Sequence, residues 1–189
     1  MTLLCFPLEN SPKRFLLGKK GKRNLVCIGI NPNTANQEKL DPTSKNVAKI
    51  AKNQGYDGWF LMNLYPQRTA KATLLETQAN SGLFQENLHF ISDFLITNDF
   101  KIDTIWLAWG NAIDSKAHPY LKEAAYQLYQ NLKKLSFTFV CINQNRSGHP
   151  THPSPLALAQ KFRMDFAKIK FVPFDFEQYI LELVALKNR

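Results

Sequence analysis

Polar side chains capable of chemistry sit in this sequence where apolar runs stop. Asn31 follows Leu25 to Ile30, Asn63 ends the run from Trp59, and Asn111 follows Trp109-Gly110. A fourth cluster, Gly148-His149-Pro150-Thr151-His152-Pro153-Ser154-Pro155, follows the run ending at Ile142. An asparagine amide donates and accepts side by side, so it can orient a water, but it cannot take the water's proton. A histidine can do either. Pro32 fixes its own φ and pushes Asn31 toward an extended conformation, presenting it at the end of the run.

These clusters must be carried by the elements before them. Leu25 to Ile30 is continuously apolar, as expected of a strand covered on both faces. Trp59 to Asn63, Thr104 to Trp109 and Phe137 to Ile142 read the same way. Between them lie helical patterns: one starting at Asp41-Pro42 with Asp41 as cap and ending at Gly55, one over Leu83 to Phe94, and one over His118 to Leu135. A helix start is expected at Leu156 and a terminal helix over 178–186. Strands alternating with helices imply a parallel sheet with helices on both faces. In such a sheet the strand ends share one edge, so the polar clusters should converge on one site. Residues 2–6 and 13–17, split by Asn10-Ser11-Pro12, predict a hairpin or a pair of edge strands, and Gly18-Lys19-Lys20-Gly21 a turn. The expected organisation is a single α/β/α domain: an N-terminal hairpin extension (1–23), a core with a central four-stranded parallel sheet (24–160), and a C-terminal helical extension (161–189).

Length and composition bound the function classes. With 189 residues, 44% hydrophobic and 21% charged, the chain is long enough to bury a proper core. No apolar run approaches the roughly 20 residues that span a bilayer, so no membrane partner is expected. The N-terminus lacks a basic segment followed by a long apolar one, so no secretory signal is expected. Cys5, Cys27 and Cys141 are odd in number and widely spaced, which fits reduced core cysteines in a cytoplasmic protein. A net charge of +9 fits a polyanionic partner. Lys13, Arg14, Lys19, Lys20, Lys22 and Arg23 crowd one segment, and Lys161, Arg163, Lys168 and Lys170 another; a solvated face is the plainer account of either. His149 and His152 make a poor metal-ligand set without a nearby cysteine or carboxylate pair, so no metal is expected. No Gly-x-Gly-x-x-Gly or Walker string is present, and no cofactor is expected.

Taken in order, the four clusters resemble the uracil-DNA glycosylase superfamily. Gly29-Ile30-Asn31-Pro32 is similar to the water-activating loop of its mismatch-specific uracil/thymine branch. Leu61-Met62-Asn63 followed by Arg68-Thr69 resembles the base-recognition strand and the segment after it. Leu107-Ala108-Trp109-Gly110-Asn111-Ala112 resembles the Leu-Trp-Gly-x-x-Ala strand end, and His152-Pro153-Ser154-Pro155-Leu156 the loop of the uracil-specific branch. The chain also resembles a bacterial and phage family of unknown function with an Asn-Pro-Ser-Thr-Ala loop and a Gly-His-Pro-x-His-Pro loop. The likeness runs from about residue 24 to 156.

The resemblance implies a uracil-DNA glycosylase-like fold and hydrolysis of the N-glycosidic bond of a flipped uracil or mismatched or modified base. The partner it implies is nucleic acid, DNA in preference to RNA. Asn31 would hold the water, His152 or its rival His149 would donate toward the leaving base, and Asn63 would read the base edge. Gly29, Ile30, Pro32, Asn111, Ser154 and Leu156 would complete the substrate-binding surface, with Leu156 as a wedge in the stack. Tyr65, which could stack on a base, and Arg68 are further binding candidates that the family does not assign. A non-catalytic nucleic-acid-binding module and a hydrolase of free nucleosides or nucleotides are the alternatives. An iron–sulfur cluster, present in some branches, needs four cysteines where this chain has three. Asn33 stands where the mismatch-specific enzymes carry glycine, and the aspartate of the fastest members is absent from the loop.

Overall fold

A computed structural model describes residues 3–8, 11–97 and 99–185. Thr2 and Asn10 of the expected hairpin, and Leu186 with the residues after it, lie outside them. Seven strands form one mixed sheet: β1 (Leu4–Phe6), β2 (Leu16–Lys19), β3 (Asn24–Gly29), β4 (Gly58–Asn63), β5 (Thr104–Leu107), β6 (Thr138–Cys141) and β7 (Val172–Pro173). Their order is β1-β2-β4-β3-β5-β6-β7. The β4-β3, β3-β5 and β5-β6 pairings are parallel. β1, β2 and β7 add antiparallel edges. The sheet is therefore larger than the four strands expected.

Two expectations fail at the N-terminal edge. Gly18 and Lys19 belong to β2, paired with Phe60 and Trp59 of β4, so no turn begins at Gly18. Arg14 is 1% exposed, which removes it from any solvated basic face.

Among the described residues five α-helices cover the sheet: α1 (Pro42–Asn53), α2 (Ser81–Thr97), α3 (Tyr120–Leu132), α4 (Pro155–Phe162) and α5 (Phe176–Ala185). Alternate residues of each central strand enter different cores, because successive side chains point to opposite faces. Val26 and Ile28 of β3 join Phe60, Met62, Ile105 and Leu107 against α2, α3 and α5. Leu25 and Cys27 join Trp59, Leu61 and Trp106 against α1 and α4. This double burial explains the unbroken apolar runs.

The topology also opens a crevice. From β3 the chain passes through α1 to β4 on one side, whereas β5 lies on the other side of β3. Consecutive connections thus diverge at the carboxyl end of β3, the place where open α/β sheets bind ligands.

Candidate functional site

A cavity of about 440 Å³ occupies that crevice. Its walls come from the ends of β3 and β4, the start of α1, the turn after β5 and the loop after β6. Among the residues singled out in the sequence, Gly29, Ile30, Asn31, Asn63, Asn111, His152 and Ser154 line it.

Asn63 and Gly29 are register partners on the parallel β3–β4 ladder. A Cβ on Gly29 would lie 2.9 Å from Asn63 Oδ1, so glycine gives the amide its room. Asn63 is 2% exposed, and its Nδ2 finds no acceptor among the described residues. A buried donor left unpaired costs about 1–3 kcal/mol, which a ligand acceptor in the cavity would recover.

Asn31 is held differently. Its Nδ2 donates to Thr69 Oγ1 at 2.8 Å and to the carbonyls of Thr69 and Pro32 at 3.1 Å. Its hydrogens are committed, and Oδ1 remains to accept. Thr69, which aims this amide, carried no signal in the sequence beyond its place after Arg68.

His152 sits over Gly110, whose φ of +67° and missing Cβ allow the approach; a Cβ there would stand 3.0 Å from His152 Cβ. The Gly110 amide donates to the Pro150 carbonyl at 2.8 Å, tying the β5 turn to the histidine loop. Asn46 of α1 donates to the Pro153 carbonyl at 2.9 Å from the other side. His152 Nδ1 accepts from the Ser154 amide at 3.1 Å, which places the ring hydrogen on Nε2. Burial pushes the imidazole down to about 4, with the negative charge of Asp41 acting in the opposite direction. His152 is accordingly a neutral ring with an Nε2–H donor at ordinary pH.

Asp41 is the residue whose second role was missed. It caps α1, with Oδ1 accepting from Ser44 N and Ser44 Oγ at 2.8 Å. It also lines the cavity, 6% exposed, and its Oδ2 has only a 3.4 Å contact from Ala35 N. The sequence marked it as a cap; only the packing of α1 against the histidine loop brings its carboxylate to the site.

Other candidates lie elsewhere. Tyr65 is fully buried, its hydroxyl accepting from Asn80 N at 3.0 Å and its ring packed on Tyr120. Pro32 is buried beneath the loop, and Leu156 is 69% exposed on α4 outside the cavity wall. Arg68 lines a neighbouring cavity instead. His149 is 3% exposed and held between Tyr179 Oη at 2.9 Å and Asp114 Oδ2 at 2.5 Å. Of the two histidines, His152 is the one on the cavity wall. Asn111 reaches the cavity rim with Oδ1 committed, accepting from Asn145 Nδ2 at 2.7 Å and Ser147 Oγ at 3.0 Å.

Among the described residues no group of three or more His, Cys, Asp or Glu gathers to hold a metal ion. Cys5, Cys27 and Cys141 are buried and unpaired. No described helix is long and apolar enough to cross a membrane. What the cavity offers is a hydrogen-bonding surface with one carboxylate, Asp41, and one ammonium, Lys71.

No curated protein matches the chain. The family described as "Protein of unknown function (DUF1643)" matches residues 14–154, which include every residue of the cavity wall except Pro155. The chain belongs to that family.

Proposed function

We propose that the protein hydrolyses an N-glycosidic bond, releasing a flipped uracil or a mismatched or modified base from nucleic acid, DNA in preference to RNA. The observation that carries the reading is Asn63, a buried amide whose Nδ2 has no acceptor among the described residues while its side chain lines a cavity large enough to admit a base. Base carbonyls are the acceptors such a donor would read. The resemblance to the uracil-DNA glycosylase superfamily, with its fold, points the same way. So does the net charge of +9.

The residues divide the work. Asn31 Oδ1 accepts a hydrogen bond from a water and aims it at the anomeric carbon. As the carbon–nitrogen bond breaks, its electron pair leaves on the base, and the His152 Nε2–H donates to the base oxygen that gathers this charge. Asn31 cannot take the water's proton; Asp41 Oδ2, on the same cavity wall, can.

Base release from oligonucleotides carrying uracil, mismatched thymine or damaged bases tests this. Release should fall at least 100-fold in Asn31→Ala and Asn63→Ala, in line with losses from single positioned groups. Asp41→Asn should lose release but keep its fold, because asparagine caps helices as well as aspartate. Release insensitive to Asn31→Ala and Asn63→Ala would refute the assignment. Tight, salt-dependent binding with no release from any substrate would make the protein a non-catalytic nucleic-acid-binding module instead.

A further inference from the structure

A second cavity, of about 340 Å³, adjoins the first and shares Asn33, Thr69 and Ala70 with it. Its lining is a set of uncharged hydrogen-bonding groups around one cation: Ser11, Asn33, Thr34, Asn36, Thr69 and Arg68. Among the described residues no carboxylate lines it.

The acceptors in this lining are mostly spent on the protein. Ser11 Oγ accepts from Lys13 N at 3.3 Å, and Asn36 Oδ1 from the amides of Glu38 and Lys39 at 3.0 and 2.8 Å. Asn33 Oδ1 accepts from Thr34 N at 2.8 Å. The Asn36 amide nitrogen and part of the Arg68 guanidinium remain to donate, and the hydroxyls of Ser11 and Thr34 can donate as well.

The charge beneath is only partly matched. Arg68 Nη1 donates to the carbonyls of Asn33 and Ala35, at 3.2 and 2.8 Å, and Arg14 Nη1 donates to the same Ala35 carbonyl at 2.6 Å. Two guanidiniums thus share one neutral acceptor. The Nε of each is buried without a partner, and neither makes an ion pair among the described residues. Burial and the like charge of Arg68 push Arg14 down to about 10, with Asp41 and Cys5 opposing. Asp41 offsets part of the charge on buried Arg14, and a further anion beside half-buried Arg68 would relieve the repulsion between the two cations.

We propose that the second cavity is a phosphate subsite, holding a phosphate of the same ligand whose base enters the first cavity. The proposal rests on the base-pocket reading for its partner but on separate residues for its own chemistry. It makes the ligand a phosphorylated nucleotide unit, whether a strand phosphate or that of a free nucleotide, rather than a bare nucleoside.

Titration calorimetry with inorganic phosphate, deoxyuridine, deoxyuridine 5′-monophosphate and a DNA oligonucleotide containing a tetrahydrofuran abasic site tests it. Thr34→Glu places a carboxylate on an exposed position of the lining. It should weaken the oligonucleotide and the monophosphate at least tenfold while leaving deoxyuridine unchanged. Arg68→Gln should do the same, and Arg68→Lys should retain part of the affinity. A monophosphate that competes with the oligonucleotide marks a free nucleotide as ligand; an oligonucleotide that binds where the monophosphate does not marks a strand. Either result supports the subsite. Abasic DNA binding untouched by both Thr34→Glu and Arg68→Gln, or a monophosphate that binds but no more tightly than deoxyuridine, would overturn it. Phosphate binding that survives with no base release from any substrate would leave the subsite standing and remove the glycosylase reading alone.

Discussion

The Tyr179 hydroxyl lies 2.9 Å from His149 Nδ1 and joins the last helix to the loop that carries the site histidine. Trp109 Nε1 donates to the same hydroxyl at 3.0 Å. An indole can only donate, so the hydroxyl accepts there and gives its own hydrogen to His149 Nδ1. The ring hydrogen then sits on Nε2, facing Asp114, which Lys122 also holds at 2.7 Å. Burial works against ionisation of Asp114, but hydrogen bonds from Lys122 and His149 keep its carboxyl below the usual range. Tyr179→Phe would strand two buried polar groups, at a cost of about 1–3 kcal/mol. Urea unfolding should show that loss, and the release or binding activity of the folded variant should remain near wild type. A variant as stable as wild type would mean the chain of bonds is not formed.

His152 ties stability to pH. An unfolded histidine titrates near 6.5, whereas burial holds this one at about 4. Between those values the unfolded chain binds a proton that the folded chain refuses, so stability falls as pH falls through that window. The full difference amounts to about 3 kcal/mol. His152→Gln should remove this part of the acid slope, seen as unfolding midpoints that decline less between pH 6.5 and 4. Identical slopes would show that the ring is not desolvated as described.

The loops were legible in the sequence where local signals sufficed. The unbroken apolar runs marked β3 to β6, because β3, β4 and β5 are buried on both faces and β6 at Val140 and Cys141, and Pro32 marked the exit at Asn31. The two histidines were not separable locally, since both precede proline; Tyr179 and Asp114, distant in sequence, decide which one is buried in the core. Asp41 was readable as a cap but not as a wall of the cavity, because α1 reaches the histidine loop through Asn46 and Pro153. Arg14 looked like one more surface cation; its burial depends on a carbonyl at Ala35 that no local pattern announces. The edge strand β7 escaped for a related reason: it is two residues long and is defined by its partner β6 rather than by its own sequence.

Gly29→Ala separates the site from the scaffold. Alanine suits a strand interior better than glycine by roughly 0.5–1 kcal/mol. Here the added methyl would meet Asn63 Oδ1 at 2.9 Å, the end of a side chain rather than a backbone atom. The amide can yield by rotating, so the two effects nearly offset and the melting temperature should shift by only a few degrees. The orientation of Nδ2 in the cavity, however, changes with that rotation. Affinity for a uracil-containing oligonucleotide should therefore drop about tenfold or more, the scale of one lost directed hydrogen bond to a base. Unchanged affinity would show that the Asn63 amide does not read the ligand, even if the cavity binds one.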